Sequence, residues 1–462
     1  MRRPSRIHLV CGALGILFTA PVPTRASAAR QPNIVLVVVD TLRADRLAAY
    51  GDTRDRTPFL TDLARRATVF ANAYTASTWT VPSVASLFTS RYPTQHQVAG
   101  FQSHFAPSET LLAERLSAMG YLAGGFTANF QLDARAGYDR GFHTWTSFPS
   151  VDKLPAEDLR REALAWIDAN RPPASDRPVF LFLQFMEPHS PYRPPATVRE
   201  RLRASEPADV DADVANGKLV GLHFDQLSPA EVTLLELLYD EEVMTVDSEL
   251  RQLFDDLAAR HLLDGAIVIV TSDHGEEFME HRLLLHGFTL YEQALRVPLL
   301  LLLPGDPGGS RVTANVSLID VAPTLLDVLG AASEPRFEGR SLVPLLHSGA
   351  AARADADVVA ELLYSGGAGD WRQHSAVLIR GTSKLILPSP NLVPIRAPEW
   401  YDLGADPAEA APDPPYLAAT ANALEEALCG RLEVIARDVA GVSPGVLGDE
   451  ERARLRALGY VQ

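Results

Sequence analysis

The sequence predicts an α/β protein with a doubly wound, mainly parallel sheet flanked by helices and a small C-terminal α+β subdomain. Three observations carry this. Four continuous apolar runs, rich in β-branched residues or leucine, occupy Asn33–Val39, Val179–Phe185, Ala266–Thr271 and Val297–Leu303. Such runs mark strands buried on both faces. Helical patterns lie between them, the order that a parallel sheet with crossover helices requires. After about residue 350 the pattern changes to short strand-like segments at Val358–Leu363, Ala376–Arg380 and Lys384–Leu387, then a helix over Tyr416–Val439.

Taken in order, residues 1–28 read as a secretory leader. Arg2, Arg3 and Arg6 form a basic start, Ile7–Ala20 is apolar but short for a bilayer span, and Ala26-Ser27-Ala28 is a small-x-small cleavage site. The expectation is export to the periplasm or beyond, with a catalytic unit over 30–350 and the subdomain over 351–462. The first strand ends on Asp40. Thr57–Phe70 follows helical spacing with Pro58 early in it, and Pro82–Ser90 is a short helix. Glu109–Met119 is amphipathic and stops at Gly120; Leu122–Thr127 is a short strand. Glu187-Pro188-His189 follows the second apolar run. Residues 204–217, acidic and containing Pro, Asn and Gly, read as a surface insertion. Pro229–Arg260 is a long helix, and the third run ends in Ser272-Asp273-His274-Gly275. Pro304-Gly305 closes the fourth run, and Leu318–Leu329 is a helix stopped by Gly330.

At 462 residues the chain can bury a large core, and its net charge of −16 argues against a nucleic-acid or polyanion partner. No membrane-spanning segment is expected beyond the leader, and the oligomeric state is open. The two cysteines are Cys11 and Cys429; cleavage of the leader leaves one thiol and no intramolecular disulfide.

In open α/β sheets functional groups gather beyond the carboxyl ends of the strands. Asp40, His189 and Asp273-His274 occupy three such ends. Thr80 immediately precedes a helix, where backbone N–H groups favour an anion. Two carboxylates, an imidazole and a hydroxyl can hold one divalent metal; oxygen-rich ligation suits Ca²⁺, Mg²⁺ or Mn²⁺, and the histidine keeps Zn²⁺ open. By spacing alone each residue also has an ordinary role. Asp40 and Thr80 fit helix caps, and Asp-His-Gly fits a turn.

The motifs resolve this choice. VLVVVDTLRADRLAAYG, the TPFLTDLARRATVFANAYTAS stretch leading into TVPSVASLFTSR, VIVTSDHGEE and HGFTLYEQALRVPLLLLLPG resemble successive segments of the sulfatase family, a branch of the alkaline phosphatase superfamily. VSLIDVAPTLLDVLG, EWYDLGADPAE and the terminal RLRALGYVQ are also similar. The resemblance covers essentially the whole chain after the leader. It implies that Asp40, Asp273 and His274 are metal ligands and that Thr80 stands at the nucleophile, also touching the metal. It implies that His189 and His286 bind the substrate or serve the leaving group. His281 and Glu277 read as structural.

The departures are chemical. The family's nucleophile is a formylglycine made from cysteine, whereas this chain has Thr80 there and no cysteine nearby. The following arginine is Val84, Asp40 is followed by Thr41 where many members have a second Asp, and the family lysines are missing near Gly125–Phe130 and between His286 and Glu292. Arg43, Arg91 and Arg296 remain, the last two at positions that read as structural. A threonine sulfate lacks the elimination route that releases sulfate from formylglycine. A threonine phosphate can be attacked in line by water beside a metal, as the resemblance to threonine-using lipoteichoic-acid synthases and phosphoethanolamine transferases implies. The expected function is therefore metal-dependent hydrolysis of an anionic ester, phosphate mono- or diester cleavage or phosphoryl transfer foremost. The alternatives are sulfuric-ester hydrolysis by metal-activated water and a catalytically silent anion-binding homologue.

Overall fold

The computed structural model describes residues 31–100, 103–148, 153–172, 175–347, 356–363, 374–388, 397–413 and 418–437. The leader-like residues 1–28 and the terminal RLRALGYVQ lie outside them. The chain divides into Met1–Gln31 and one compact unit, Pro32–Gln462.

Among the described residues a nine-stranded sheet forms the centre. Its strands are β1 (Ile34–Val39), β2 (Thr68–Tyr74), β3 (Leu122–Thr127), β4 (Thr144–Ser147), β5 (Val179–Phe185), β6 (Ile267–Thr271), β9 (Arg296–Val297), β10 (Leu299–Leu302) and β11 (Arg311–Ser317). The remaining strands are the hairpin β7 (Glu277–Phe278) and β8 (Leu284–Leu285), and β12 (Val358–Leu362), β13 (Ser375–Arg380), β14 (Ser383–Leu387) and β15 (Glu399–Asp402). The large sheet runs β11-β2-β10-β6-β1-β5-β3-β4, with β9 beside β2. All its pairings are parallel except those of β10 and β9.

The apolar run of β1 has the physical meaning read from it. Val35, Val37 and Val39 enter one buried cluster, with the helices Pro58–Arg66, Ala156–Asn170 and Pro229–Ala259. Ile34, Leu36 and Val38 enter another, with Thr80–Thr89, Leu112–Ala118 and Val321–Val328. Side chains alternate across a strand, so a strand covered on both faces must be apolar at every position.

The topology positions the site. β1 lies between β5 and β6, parallel to both, with Val39 opposite Phe185 and Val38 opposite Thr271. The residues leaving these three strands therefore emerge together at one edge, where the connections diverge to opposite sides of β1.

Several local expectations change. The helix within Thr57–Phe70 ends at Arg66, and TVFANAY becomes β2; its β-branched and aromatic residues suit a pleated, buried surface. Residues 204–217 include the start of a capped helix, Ala212–Val220, whose Ala215 and Leu219 are buried in the core. The fourth run is split at Pro298 into β9 and β10, and β10 pairs antiparallel. The structure adds β4, β11, β15 and the helix Ala156–Asn170 to the elements the sequence predicts. The small sheet β12-β13-β14-β15 is antiparallel throughout. One face covers Tyr74, Leu290 and Tyr291, and the other packs on the helix Ala418–Arg437.

Candidate active site

Asp40, directly after β1, is fully buried. Its Oδ2 accepts hydrogen bonds from Gln184 Nε2 at 2.7 Å and Asn129 Nδ2 at 3.1 Å. Its Oδ1 has no hydrogen-bond partner. Asp273, beyond β6, repeats the pattern. Oδ1 accepts from the amides of His274 at 2.9 Å and Thr41 at 3.2 Å, while Oδ2 is unpartnered. Buried carboxylate oxygens are normally satisfied, so two orphans in one place require explanation.

His274 supplies it. Its Nδ1 lies 3.0 Å from the Gly275 carbonyl, which can only accept, so the proton resides on Nδ1 and the Nε2 lone pair faces the other way. That Nε2 stands 3.6 Å from Asp273 Oδ2, 3.8 Å from Asp40 Oδ1 and 3.2 Å from Thr80 Oγ1. Ligand atoms of Asp40, Asp273 and His274 all lie within 4.8 Å of one another. Burial, and then Asp273, hold the Asp40 carboxyl well above its ordinary range. Burial also raises Asp273, against the nearby His274. Two orphaned carboxylate oxygens, an imidazole lone pair and a hydroxyl around one point fit a divalent cation in donor type and in charge.

Thr80 is the first residue of the helix Thr80–Thr89, and Trp79 is its N-cap. The threonine therefore does not cap the helix, as spacing alone allowed; its hydroxyl turns to His274 instead. Ser83, one turn on, donates to the Asp273 carbonyl at 2.7 Å and ties helix to strand end. Val84 is packed in the core. Thr41 is held at φ 56, a left-handed conformation costly for a β-branched residue, about 1–2 kcal/mol. Tyr239 Oη donates to its carbonyl at 2.8 Å and accepts the Arg43 amide, two residues on, at 3.0 Å. This strained turn delivers the Thr41 amide to Asp273.

The two further histidines join the group. The His286 ring centroid is 4.2 Å from that of His274 and 4.9 Å from that of His189. His189 Nδ1 donates to the Ser190 carbonyl at 2.5 Å. Burial, then His286 and Lys153, depress its pKa well below the usual histidine range. Burial and then His274 do the same to His286. His286 Nδ1 lies 2.8 Å from Glu276 Oε1, and Tyr192 Oη donates to Glu276 Oε2 at 2.9 Å. Burial pushes Glu276 up to about 8.

The sulfatase family model matches residues 32–331. The chain belongs to the sulfatase family. A second model, the C-terminal part of N-sulphoglucosamine sulphohydrolase, matches residues 279–435. Arylsulfatase K of Rattus norvegicus is 26% identical over 393 residues, 73% of this chain and 67% of the relative. An arylsulfatase of Clostridium perfringens is 24% identical, covering 68% of this chain and 78% of its own length. Among solved structures, the phosphonate monoester hydrolase of Agrobacterium radiobacter superposes with a TM-score of 0.71 at 21% identity, over 87% of this chain and 96% of the other. A protein solved with its substrate D-glucosamine-2-N,6-O-disulfate gives 0.71 at 19% identity, over 88% and 98%.

Within this sulfatase-family fold the cations noted in the sequence are engaged elsewhere. Arg43 bonds Asp45, Glu280 and the Glu276 carbonyl, and Arg296 bonds the Ala71 carbonyl. Arg91 lies buried 3.4 Å from Glu109. His281 stacks on Tyr291, and Glu277 accepts from Thr289. Sequence reasoning missed Gln184, Asn129, Glu276 and Tyr192. Gln184 carried a signal, as the one polar residue in VFLFLQF. Glu276 stands beside the metal motif, but its bond to His286 spans a loop that spacing does not reveal. Among the described residues no helix is long and apolar enough to cross a membrane.

Proposed function

We propose that this sulfatase-family hydrolase cleaves phosphate esters, with Thr80 as nucleophile beside one divalent cation, Mn²⁺, Ca²⁺ or Mg²⁺ foremost and Zn²⁺ within reach of the same donors. The observation that carries the reading is the convergence of Thr80 Oγ1 on His274 Nε2, next to the orphaned oxygens of Asp40 and Asp273. Asp40 Oδ1, Asp273 Oδ2, His274 Nε2 and Thr80 Oγ1 would hold the ion. A divalent cation held there would supply Lewis-acid chemistry, lowering the pKa of the Thr80 hydroxyl and polarising the ester.

The chain's own groups do the rest. Thr80 Oγ1 forms a bond to phosphorus as the ester oxygen leaves, and its proton passes to solvent. His189 and His286 bind the ester and face the departing alkoxide, which takes a proton from solvent in exchange for the one Thr80 gives up. Glu276, fixed by Tyr192, holds the His286 ring in place. Water then attacks phosphorus, Thr80 is regenerated and phosphate is released. The structural likeness to a phosphonate monoester hydrolase supports phosphorus chemistry on this fold. The arylsulfatase relatives support the sulfate alternative, but a threonine sulfate would have no internal route to release. Export of the enzyme remains part of the proposal, carried by the leader-like residues 1–28.

The experiment compares p-nitrophenyl sulfate, phosphate monoester and phosphodiester as substrates, each with Mn²⁺, Ca²⁺, Mg²⁺ or Zn²⁺. Cleavage of a phosphate ester that falls by about 10³-fold or more in Thr80→Ala supports the reading. Sulfate turnover that survives Thr80→Ala but is lost in Asp273→Ala refutes Thr80 as nucleophile.

A further inference from the structure

A cavity of about 590 Å³ opens along the segment that carries His189. Its wall includes Glu187 and Pro191, which flank His189 in the chain, and Lys153, which acts electrostatically on His189. Three of its polar side chains are already matched. Glu242 forms an ion pair with Lys153 and accepts the Arg193 amide at 2.6 Å. Asn216 exchanges hydrogen bonds with the backbone of Tyr192 at 2.8 and 3.0 Å. Glu187 differs. It is 8% exposed; Oε1 accepts the Ala156 amide at 3.0 Å, and Oε2 has no hydrogen-bond partner. A carboxylate oxygen buried at a cavity wall without a donor carries a desolvation cost that a ligand's O–H or N–H can remove. The rings of Pro155 and Pro191 and the Val220 side chain add apolar surface for the ligand's carbon skeleton.

We propose that this cavity receives the organic part of the ester and that Glu187 selects leaving groups that carry a hydrogen-bond donor, a hydroxyl or an ammonium group. The proposal rests on the hydrolase reading for the orientation of the substrate, with the scissile phosphate at Thr80 and the leaving group beyond His189. Glu187 is a specificity-determining residue here and takes no part in bond cleavage.

Glu187→Gln tests it with little change in shape. The amide oxygen can still accept from Ala156, while an N–H₂ donor replaces the unpartnered oxygen. The substrates are 4-ethylphenyl, 4-(2-hydroxyethyl)phenyl and 4-(2-aminoethyl)phenyl phosphate, which differ only at the tail. The expected result is a kcat/KM advantage for one or both donor-bearing esters that falls about tenfold in Glu187→Gln, the worth of one hydrogen bond to a charged group, with the ethyl ester unchanged. The arm that falls identifies hydroxyl or ammonium. Equal losses on all three esters, or an unchanged ratio, overturn the assignment. Calorimetric binding of the corresponding free phenols to the full chain tests the pocket independently of turnover. If no ester is cleaved, the phosphate-ester reading fails, and tail-dependent binding lost in Glu187→Gln still decides for the pocket. Equal binding of the three phenols decides against it. Val220→Trp, which fills the cavity from another wall, should weaken binding of all three; undiminished binding there also overturns the proposal.

Discussion

Asp273→Asn should make the cation-free protein more stable and abolish its response to the cation. The amide is isosteric. Its oxygen can still accept from the Thr41 and His274 amides, and its N–H₂ group replaces the orphaned Oδ2 beside Asp40. What disappears is the repulsion between two carboxylates whose ligand oxygens lie within 4.8 Å. At an effective dielectric of about 20, unit charges at that distance repel by about 3.5 kcal/mol. Both groups have raised folded-state pKa values, so this cost is absent at low pH and grows as pH rises and the pair ionises. At pH 8 in chelator the variant should be about 2–3 kcal/mol more stable than the parent, which for 462 residues is about 2–3 °C in Tm. A cation at about a hundred times its Kd should stabilise the parent by about 2.7 kcal/mol and the variant hardly at all. Unfolding followed by circular dichroism, in chelator and in Mn²⁺, reads both effects. A variant less stable than the parent in chelator, or one still stabilised by Mn²⁺, would refute the reasoning that these oxygens form a cation site.

Two further outcomes follow from the same geometry. A Cβ on Gly275 would fall 1.9 Å from the Gln293 carbonyl oxygen, so Gly275→Ala must shift the backbone that carries His274. It should lower stability by about 1–3 kcal/mol and weaken Mn²⁺ binding, measured by calorimetry; unchanged binding would show that the loop does not position His274. Glu361, on β12, accepts the Thr94 amide at 2.8 Å through Oε2 while Oε1 is unpartnered, and burial lifts its pKa to about 7. The folded state then holds the proton longer than the unfolded chain, so stability falls as pH rises from about 4.5 to about 7. Glu361→Gln removes that term, and the stability difference from the parent should grow by up to about 3 kcal/mol across this window. A difference that is flat with pH in paired denaturation curves would contradict it.

The sequence by itself determined the layers and the chemistry on offer. A strand covered on both faces must be apolar at every position, so β1, β5 and β6 declared themselves, and each was followed by residues able to hold a cation or bind an anion. Thr80, Val84 and Thr41 were legible as departures because the surrounding motifs fixed what they replace. The tertiary structure decided what depends on long-range pairing. β2 was hidden because its residues continue a helical spacing, and only pairing with β10 and β11 makes them a strand. Thr80 fitted an N-cap until the fold brought His274, 194 positions away, to its hydroxyl. The orphaned oxygens of Asp40 and Asp273, the Tyr192–Glu276–His286 chain and the unmatched Glu187 are invisible in sequence for one reason. Whether a polar atom is satisfied depends on which atoms surround it after folding, and residue spacing does not encode that.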